Sequence, residues 1–314
     1  MDHPTRRFLL GSAAALSASA LCPPAFWPRP AAARALTHNF VVIGDWGRQG
    51  HYQQRALGAR MGQVAADFGS LYTVSLGDNF YDDGVTSVDD PNWDLSFESI
   101  YRAPSLRTPW RVILGNHDYR GNVAAQLEYG RARDSRWSLP ARYYTRIEHL
   151  PDGSPAEFFF IDTSPFISTY RGTKVDIAGQ DTARQVAWLD RELGRSRAVW
   201  KIVIGHHPIH TAEGRFDEPD LIAAILPVLK RHGVTIYVNG HIHNLQYIER
   251  DGIHFINNGA GSRVDPVGAP QPGGFTAPDQ HGFMTVSLDR DRFDFSFINL
   301  DGRRIFGRTV PRLA

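Results

Sequence analysis

Five times along the 314-residue chain, a short apolar run is followed by a glycine and then at once by Asp, Asn or His. Residues 39–43 lead into Gly44-Asp45-Trp46-Gly47, residues 71–76 into Gly77-Asp78-Asn79-Phe80-Tyr81, and residues 111–114 into Gly115-Asn116-His117-Asp118. Later, residues 199–204 precede Gly205-His206-His207-Pro208, and residues 234–238 lie just ahead of Gly240-His241-Ile242-His243. Such runs read as strands buried on both faces of a sheet. In open α/β sheets the carboxyl ends of the strands gather at one edge, where ligands bind. A glycine directly before the polar residue allows a tight turn and close approach of the backbone to a small ligand. Any one tip could be only a turn or a helix cap, and His-x-His on a strand also suits two core histidines. Turn chemistry does not explain five tips whose oxygen and nitrogen donors collect only behind glycine and only after apolar strands.

The segments between the strands carry a helical period. Val186, Leu189 and Leu193 share one helix face, and Leu221, Ile222, Ile225, Leu226 and Leu229 share another. Pro219 suits a first turn and Gly233 a C-terminal cap, while Pro227 should kink or shorten that second helix. Residues 284–288 and 293–297 alternate apolar and polar, as antiparallel strands packed on one side only. An α/β two-sheet β-sandwich flanked by helices accommodates both patterns. No linker, repeat or charge block divides residues 36–314, which are expected to form a single domain. Trp46, Trp110, Trp188 and Trp200 are expected in the core or a pocket wall, and His254 and His281 in the core or at the surface.

Residues 1–35 read as an export signal. Thr5-Arg6-Arg7 precedes an apolar run from Phe8 to Leu21, and Ala33-Arg34-Ala35 is a small-x-small cleavage pattern. The run is short for a permanent span, so no stable membrane anchor is expected. Paired arginines there resemble a twin-arginine signal, which makes the twin-arginine export machinery an expected partner and a periplasmic or secreted location the expectation. An ordinary secretory signal is the plainer alternative. The one cysteine, Cys22, rules out an internal disulfide framework. The four arginines of this segment against Asp2 leave the rest of the chain near −2 out of a formal net charge of +1. A nucleic-acid or anionic-membrane binder needs a basic face, so both are excluded and any anionic substrate must be drawn locally.

In order, Asp45; Gly77-Asp78-x-x-Tyr81; Gly115-Asn116-His117-Asp118; Gly205-His206-His207-Pro208; and Gly240-His241-x-His243 resemble the purple acid phosphatases of the metallophosphoesterase superfamily. The small tartrate-resistant type is the most similar, along nearly the whole chain after residue 35. Residues 115–129 and Asn258-Gly259-Ala260-Gly261 carry further likeness. The first motif lacks the Asp-x-His found in most other superfamily members, and Tyr81 supplies the phenolate that the purple enzymes use instead. The resemblance implies a calcineurin-like metallophosphoesterase fold and a ferric site made by Asp45, Tyr81 and His243. It also implies a divalent site made by Asn116, His206 and His241, with Asp78 bridging, and hence Fe(III) beside Fe(II), Zn(II) or Mn(II). Donor chemistry agrees, since phenolate and carboxylate suit a trivalent ion and neutral imidazoles with an amide suit a divalent one.

The same resemblance implies hydrolysis of small phosphate monoesters at acid pH by a metal-bound hydroxide, in a protein expected to be a monomer. His117, next to Asn116, is the candidate proton donor to the phosphoryl or leaving-group oxygen. A second histidine is expected a few residues beyond Gly205-His206-His207-Pro208, and Gly214-Arg215 stands there instead, with His210 earlier. Either His210 reaches the leaving group, or Arg215 binds the phosphate, or neither does. Asp82-Asp83 after Tyr81 also departs from the family's neutral or apolar pattern; these are turn residues or cleft residues that repel anions. Residues 163–180 show no period and read as a surface excursion or as a lid over the site. A phosphodiesterase or nucleotide pyrophosphatase with the same metals, and a metal- or phosphate-binding protein without turnover, are the alternative functions.

Overall fold

Successive side chains of a strand point to opposite faces, and in this chain both faces of the central strands are apolar. The computed structural model describes Met1 and residues 37–313, so the expected export signal and Cys22 lie outside the described residues. Strands β1 (His38–Ile43), β2 (Thr73–Ser75), β3 (Trp110–Val112) and β4 (Trp137–Ser138) pair in parallel in that order. The chain then builds a second sheet from β5 (Tyr144–His149), β6 (Pro155–Phe160), β7 (Trp200–Ile204), β8 (Ile236–Asn239), β9 (Leu245–Arg250), β10 (Ile253–Asn258) and β11 (Phe275–Ala277). Its spatial order is β11-β9-β10-β8-β7-β6-β5, with β6, β7, β8 and β10 parallel. Finally β12 (Gly282–Leu288), β13 (Arg292–Asn299) and β14 (Arg304–Pro311) return to the first sheet and add antiparallel to β1.

Phe40, Val42, Phe158, Phe160, Ile202 and Ile204 meet in the layer between the sheets. Their neighbours face outward: Val41 and Ile43 pack with Leu57 and Met61 of α1 (Gln54–Phe68). The short helix α2 (Val123–Ala132) packs on the same side. Phe159 and Val203 pack with Leu189 and Leu193 of α3 (Thr182–Arg195). The four layers are thus helix, sheet, sheet and helix, as the two kinds of strand pattern predict. The Asp181 carboxylate caps α3 by accepting from the Arg184 N–H at 2.9 Å. The last helical pattern is split at Ile225 into α4 (Pro219–Ala224) and α5 (Leu226–Arg231), because the ring of Pro227 cannot continue a helix from the preceding turn. Gly233 follows with φ +62°.

One expectation is corrected. β12 is buried along its whole length, because it lies between β1 and β13 and Ser287 is held by Asn39 through a 2.6 Å hydrogen bond. Among the described residues, no helix is long and apolar enough to cross a membrane.

Candidate metal centre

The five glycine-led tips leave β1, β2 and β3 of one sheet and β7 and β8 of the other, and main-chain hydrogen bonds join them. Asp45 N–H donates to the Gly77 carbonyl at 3.1 Å, Gly240 N–H to His206 at 3.0 Å, and Gly261 N–H to Gly44 at 3.1 Å. The Asn258 amide reaches back to the Val42 carbonyl at 2.7 Å, so the loop after β10 ties the two sheets at their edge. A methyl group at Gly77, where φ is +89°, would sit 2.8 Å from both the Gly115 nitrogen and His206 Nδ1. At Gly240 it would meet Asp45 Oδ2 at 2.5 Å. Three of the donor residues, Asp45, Asp78 and His241, themselves hold left-handed backbone, at φ 59°, 50° and 69°. Such conformations cost about 1 kcal/mol or more each and persist where surrounding structure over-determines them.

The donors form two adjoining groups. The Tyr81 hydroxyl lies 3.1 Å from Asp45 Oδ1, 2.9 Å from Asp78 Oδ2 and 2.9 Å from His243 Nε2. Asn116 Oδ1 lies 3.1 Å from His241 Nδ1 and 3.3 Å from His206 Nε2, which is itself 3.5 Å from Asp78 Oδ1. Asp78 therefore faces both groups. Nδ1 of His206 donates to the Leu76 carbonyl at 2.7 Å, which leaves the Nε2 lone pair aimed at the cluster. On the far side of His243, Asp265 stands 3.3 Å from Nδ1.

Burial explains the electrostatics. It pushes the Asp45 carboxyl well above the usual range, and the neighbouring Asp78 charge pushes it further. Burial would raise Asp78 too, but His206, His117 and the His117 N–H outweigh it and hold that carboxyl down at about 2. The Tyr81 phenol is raised by burial and by both carboxylates. Burial, assisted by neighbouring imidazoles, lowers His241 to about 3, and burial lowers His243 to about 4 and depresses His206. Neutral imidazoles, an amide oxygen and two crowded buried carboxylates are a donor set short of positive charge, and cations between them would supply it. The residues present fit a pair of metal ions.

Around this cluster stand residues to which sequence reasoning gave no role. The Arg48 guanidinium stacks 3.5 Å from the Tyr81 ring centroid and pairs with Asp82 at 3.2 Å. Asp118 accepts from the Gly115 and Asn79 N–H groups and from Gln126, locking the second and third tips together. Burial, then Asp78, pushes its carboxyl up to about 7. His207 packs against His241 with ring centroids 4.3 Å apart and is bonded to Thr163 and Tyr170. Only its place beside His206 in the motif could have signalled it. The segment 163–180 is more than a plain excursion. Lys174 pairs with Asp83 at 2.7 Å, the Asp176 N–H donates to the Tyr119 carbonyl at 3.0 Å, and Tyr170 bonds His207, so the segment is pinned to the rim. Asp82 and Asp83 are thus engaged in ion pairs.

His117 is where the motif predicts it. A 2.5 Å contact with the Asp82 carbonyl requires hydrogen on Nδ1, so Nε2, 3.9 Å from Asp78 Oδ2, is the nitrogen that faces the cluster. The other two candidates are not brought in. His210 Nδ1 is held by Asp217 at 2.7 Å and its ring edges onto Phe255, on the helix-covered side of the second sheet. Arg215 is half exposed and its charge is taken by Glu213 at 2.7 Å. In both cases a nearby carboxylate, invisible in motif spacing, captures the side chain.

Two sheets with paired donor groups at the carboxyl ends of their parallel strands define a metallophosphoesterase, and the calcineurin-like phosphoesterase family profile matches residues 38–245. Purple acid phosphatase 17 of Arabidopsis thaliana is 40% identical over 282 residues, which are 84% of this chain and 81% of that protein. Tartrate-resistant acid phosphatase type 5 of Homo sapiens is 30% identical over 302 residues, covering 88% and 91%. A solved structure described as GAP50, the anchor in the inner membrane complex of Plasmodium, superposes with a TM-score of 0.78 at 26% identity, over 89% of this chain and 90% of that one. The chain belongs to the purple acid phosphatases, and is a metal-dependent acid phosphatase acting on phosphoric monoesters.

Proposed function

We propose that Asp45, Tyr81 and His243 hold Fe(III), that Asn116, His206 and His241 hold Fe(II), Zn(II) or Mn(II), and that Asp78 bridges them. The observation that carries this reading is the Tyr81 oxygen, set within about 3 Å of donor atoms from three other residues, two of them on other tips. Bound there, the two ions would acidify water to make a nucleophile and offset the charge of the phosphoryl group. The chain's own part is to fix the donors on two rigid sheets and to present His117 Nε2, which gives or takes the proton at the ester oxygen. A small phosphate ester is attracted by the loaded cluster itself, since the chain as a whole is near neutral.

We further propose that residues 1–35 direct export through the twin-arginine route to the periplasm or beyond, a reading supported by Arg6-Arg7 and Ala33-Arg34-Ala35, and that the mature protein works as a monomer. Release of phosphate from p-nitrophenyl phosphate, compared with cleavage of bis-p-nitrophenyl phosphate at acid and neutral pH, tests the function. Fast monoester cleavage supports it, preferential diester cleavage points to the phosphodiesterase reading, and phosphate binding without turnover points to the binding protein. Metal analysis with a visible spectrum tests the ions. Tyrosinate on ferric iron absorbs visible light, and a colourless protein holding two zinc or manganese ions overturns the iron assignment.

A further inference from the structure

The phosphatase motif lacks its second histidine, and neither His210 nor Arg215 fills the gap, so a donor to the substrate must come from elsewhere on the rim. The Thr163 hydroxyl oxygen accepts from the N–H groups of His206 at 3.2 Å and of His207 at 3.0 Å. Two acceptances use both of its lone pairs, so its hydrogen must go to His207 Nδ1, 2.8 Å away. His207 therefore carries its own proton on Nε2 and donates it to the Tyr170 oxygen at 2.8 Å. The Tyr170 hydroxyl hydrogen is left without an acceptor among the described residues.

That hydroxyl is one hydrogen bond away from a ring packed against the cluster. The His207 ring to which it is bonded lies 4.3 Å from the ring of His241 and 4.8 Å from that of His206. The phenol is raised by its burial and, next, by the charge of Asp78. Its segment is held against the site by Lys174 on Asp83 and by the buried Val175. We propose that the Tyr170 hydroxyl donates a hydrogen bond to the phosphoryl group of the bound ester, the role the motif leaves vacant, oriented by the Thr163–His207 relay. The inference rests on the binuclear phosphatase reading given above.

Tyr170→Phe keeps the ring and removes only the donor. In the metal-loaded full-length protein, calorimetric titration with inorganic phosphate should show affinity weakened about ten- to a hundred-fold, as for loss of a hydrogen bond to a charged group. Metal content and Tm should match the unsubstituted protein. The kcat/KM for p-nitrophenyl phosphate and for an alkyl phosphate should fall by similar factors. Phosphate affinity within twofold of the unsubstituted protein overturns the proposal, as does a loss confined to the alkyl ester, which would place the contact on the departing oxygen. If the unsubstituted protein binds phosphate but hydrolyses neither ester, the phosphatase reading fails while the titration still decides the role of Tyr170.

Discussion

Asp45→Asn should make the metal-free protein more stable while abolishing its function, because Asp45 is the carboxyl that burial and Asp78 push up. Asp45 and Asp78 are both buried, and their ligand oxygens, with a nitrogen of His243, lie within 4.8 Å of one another. At an effective dielectric constant of about 20, two charges at that distance repel by about 3.5 kcal/mol. Partial protonation of Asp45 reduces this, so the substitution should relieve about 1–3 kcal/mol. The asparagine oxygen can still accept from the His241 N–H, now at 2.9 Å, and Tyr81 can turn its hydrogen to Asp78, 2.9 Å away. For a domain of this size about 2 °C of Tm accompanies each kcal/mol, giving a rise of about 2–6 °C after chelation at pH 7. The metal-loaded comparison reverses the order. Ions at about a thousand times their Kd stabilise the unsubstituted protein by about 4 kcal/mol, or about 8 °C, and should add little to the variant. Burial and Asp78 hold Asp45 above its unfolded pKa, so the chelated unsubstituted protein loses stability as pH rises from the ordinary carboxylate range, and the variant should lose less. Thermal unfolding with and without chelator, read beside phosphatase activity, makes the test. A chelated Asp45→Asn protein that melts below its parent would refute the reasoning that these carboxylates are held together at a cost that only cations offset.

Three further outcomes are expected. Burial pushes Asp162 up to about 7, so its burial costs nothing below about pH 4 and progressively more up to pH 7; Asp162→Asn should match the parent in acid and exceed it by about 4 kcal/mol at most above pH 7, and parallel pH profiles of Tm would contradict this. Arg48→Gln removes the cation stacked on Tyr81, which should move any tyrosinate-to-iron absorption to longer wavelength, because the phenolate electrons lose stabilisation; an unmoved band counts against the stacking role. Arg215→Ala should leave kcat/KM within about twofold, since the guanidinium is held by Glu213 and not by the cluster, and a tenfold loss would return Arg215 to the active site.

Helix α1 shows why part of the fold escaped the sequence. Its buried face includes Gly58 and Gly62, where added methyl groups would strike Ile100 and Ala103, so the contact surface is made partly of absent side chains that an apolar period does not register. Pro227, by contrast, acts through its own ring and declared the break at Ile225 in advance.

The order of strands and donors was local information: apolar runs, glycine at each close approach, and residue types whose chemistry suits metal ions can be read one segment at a time. Which partner a side chain takes is not readable from motif spacing. Asp217 takes His210 and Glu213 takes Arg215 within one loop segment, and Arg48 of the first tip reaches Tyr81 of the second, each decided by how the backbone bends in space. The direction of the proton in the Thr163–His207–Tyr170 relay depends on counting lone pairs among groups up to 44 residues apart. Sequence alone therefore determined which groups the chain offers at one edge of its sheets, and the tertiary structure decided which of them remain free to act there, because hydrogen bonds and charge pairs are settled by proximity in space.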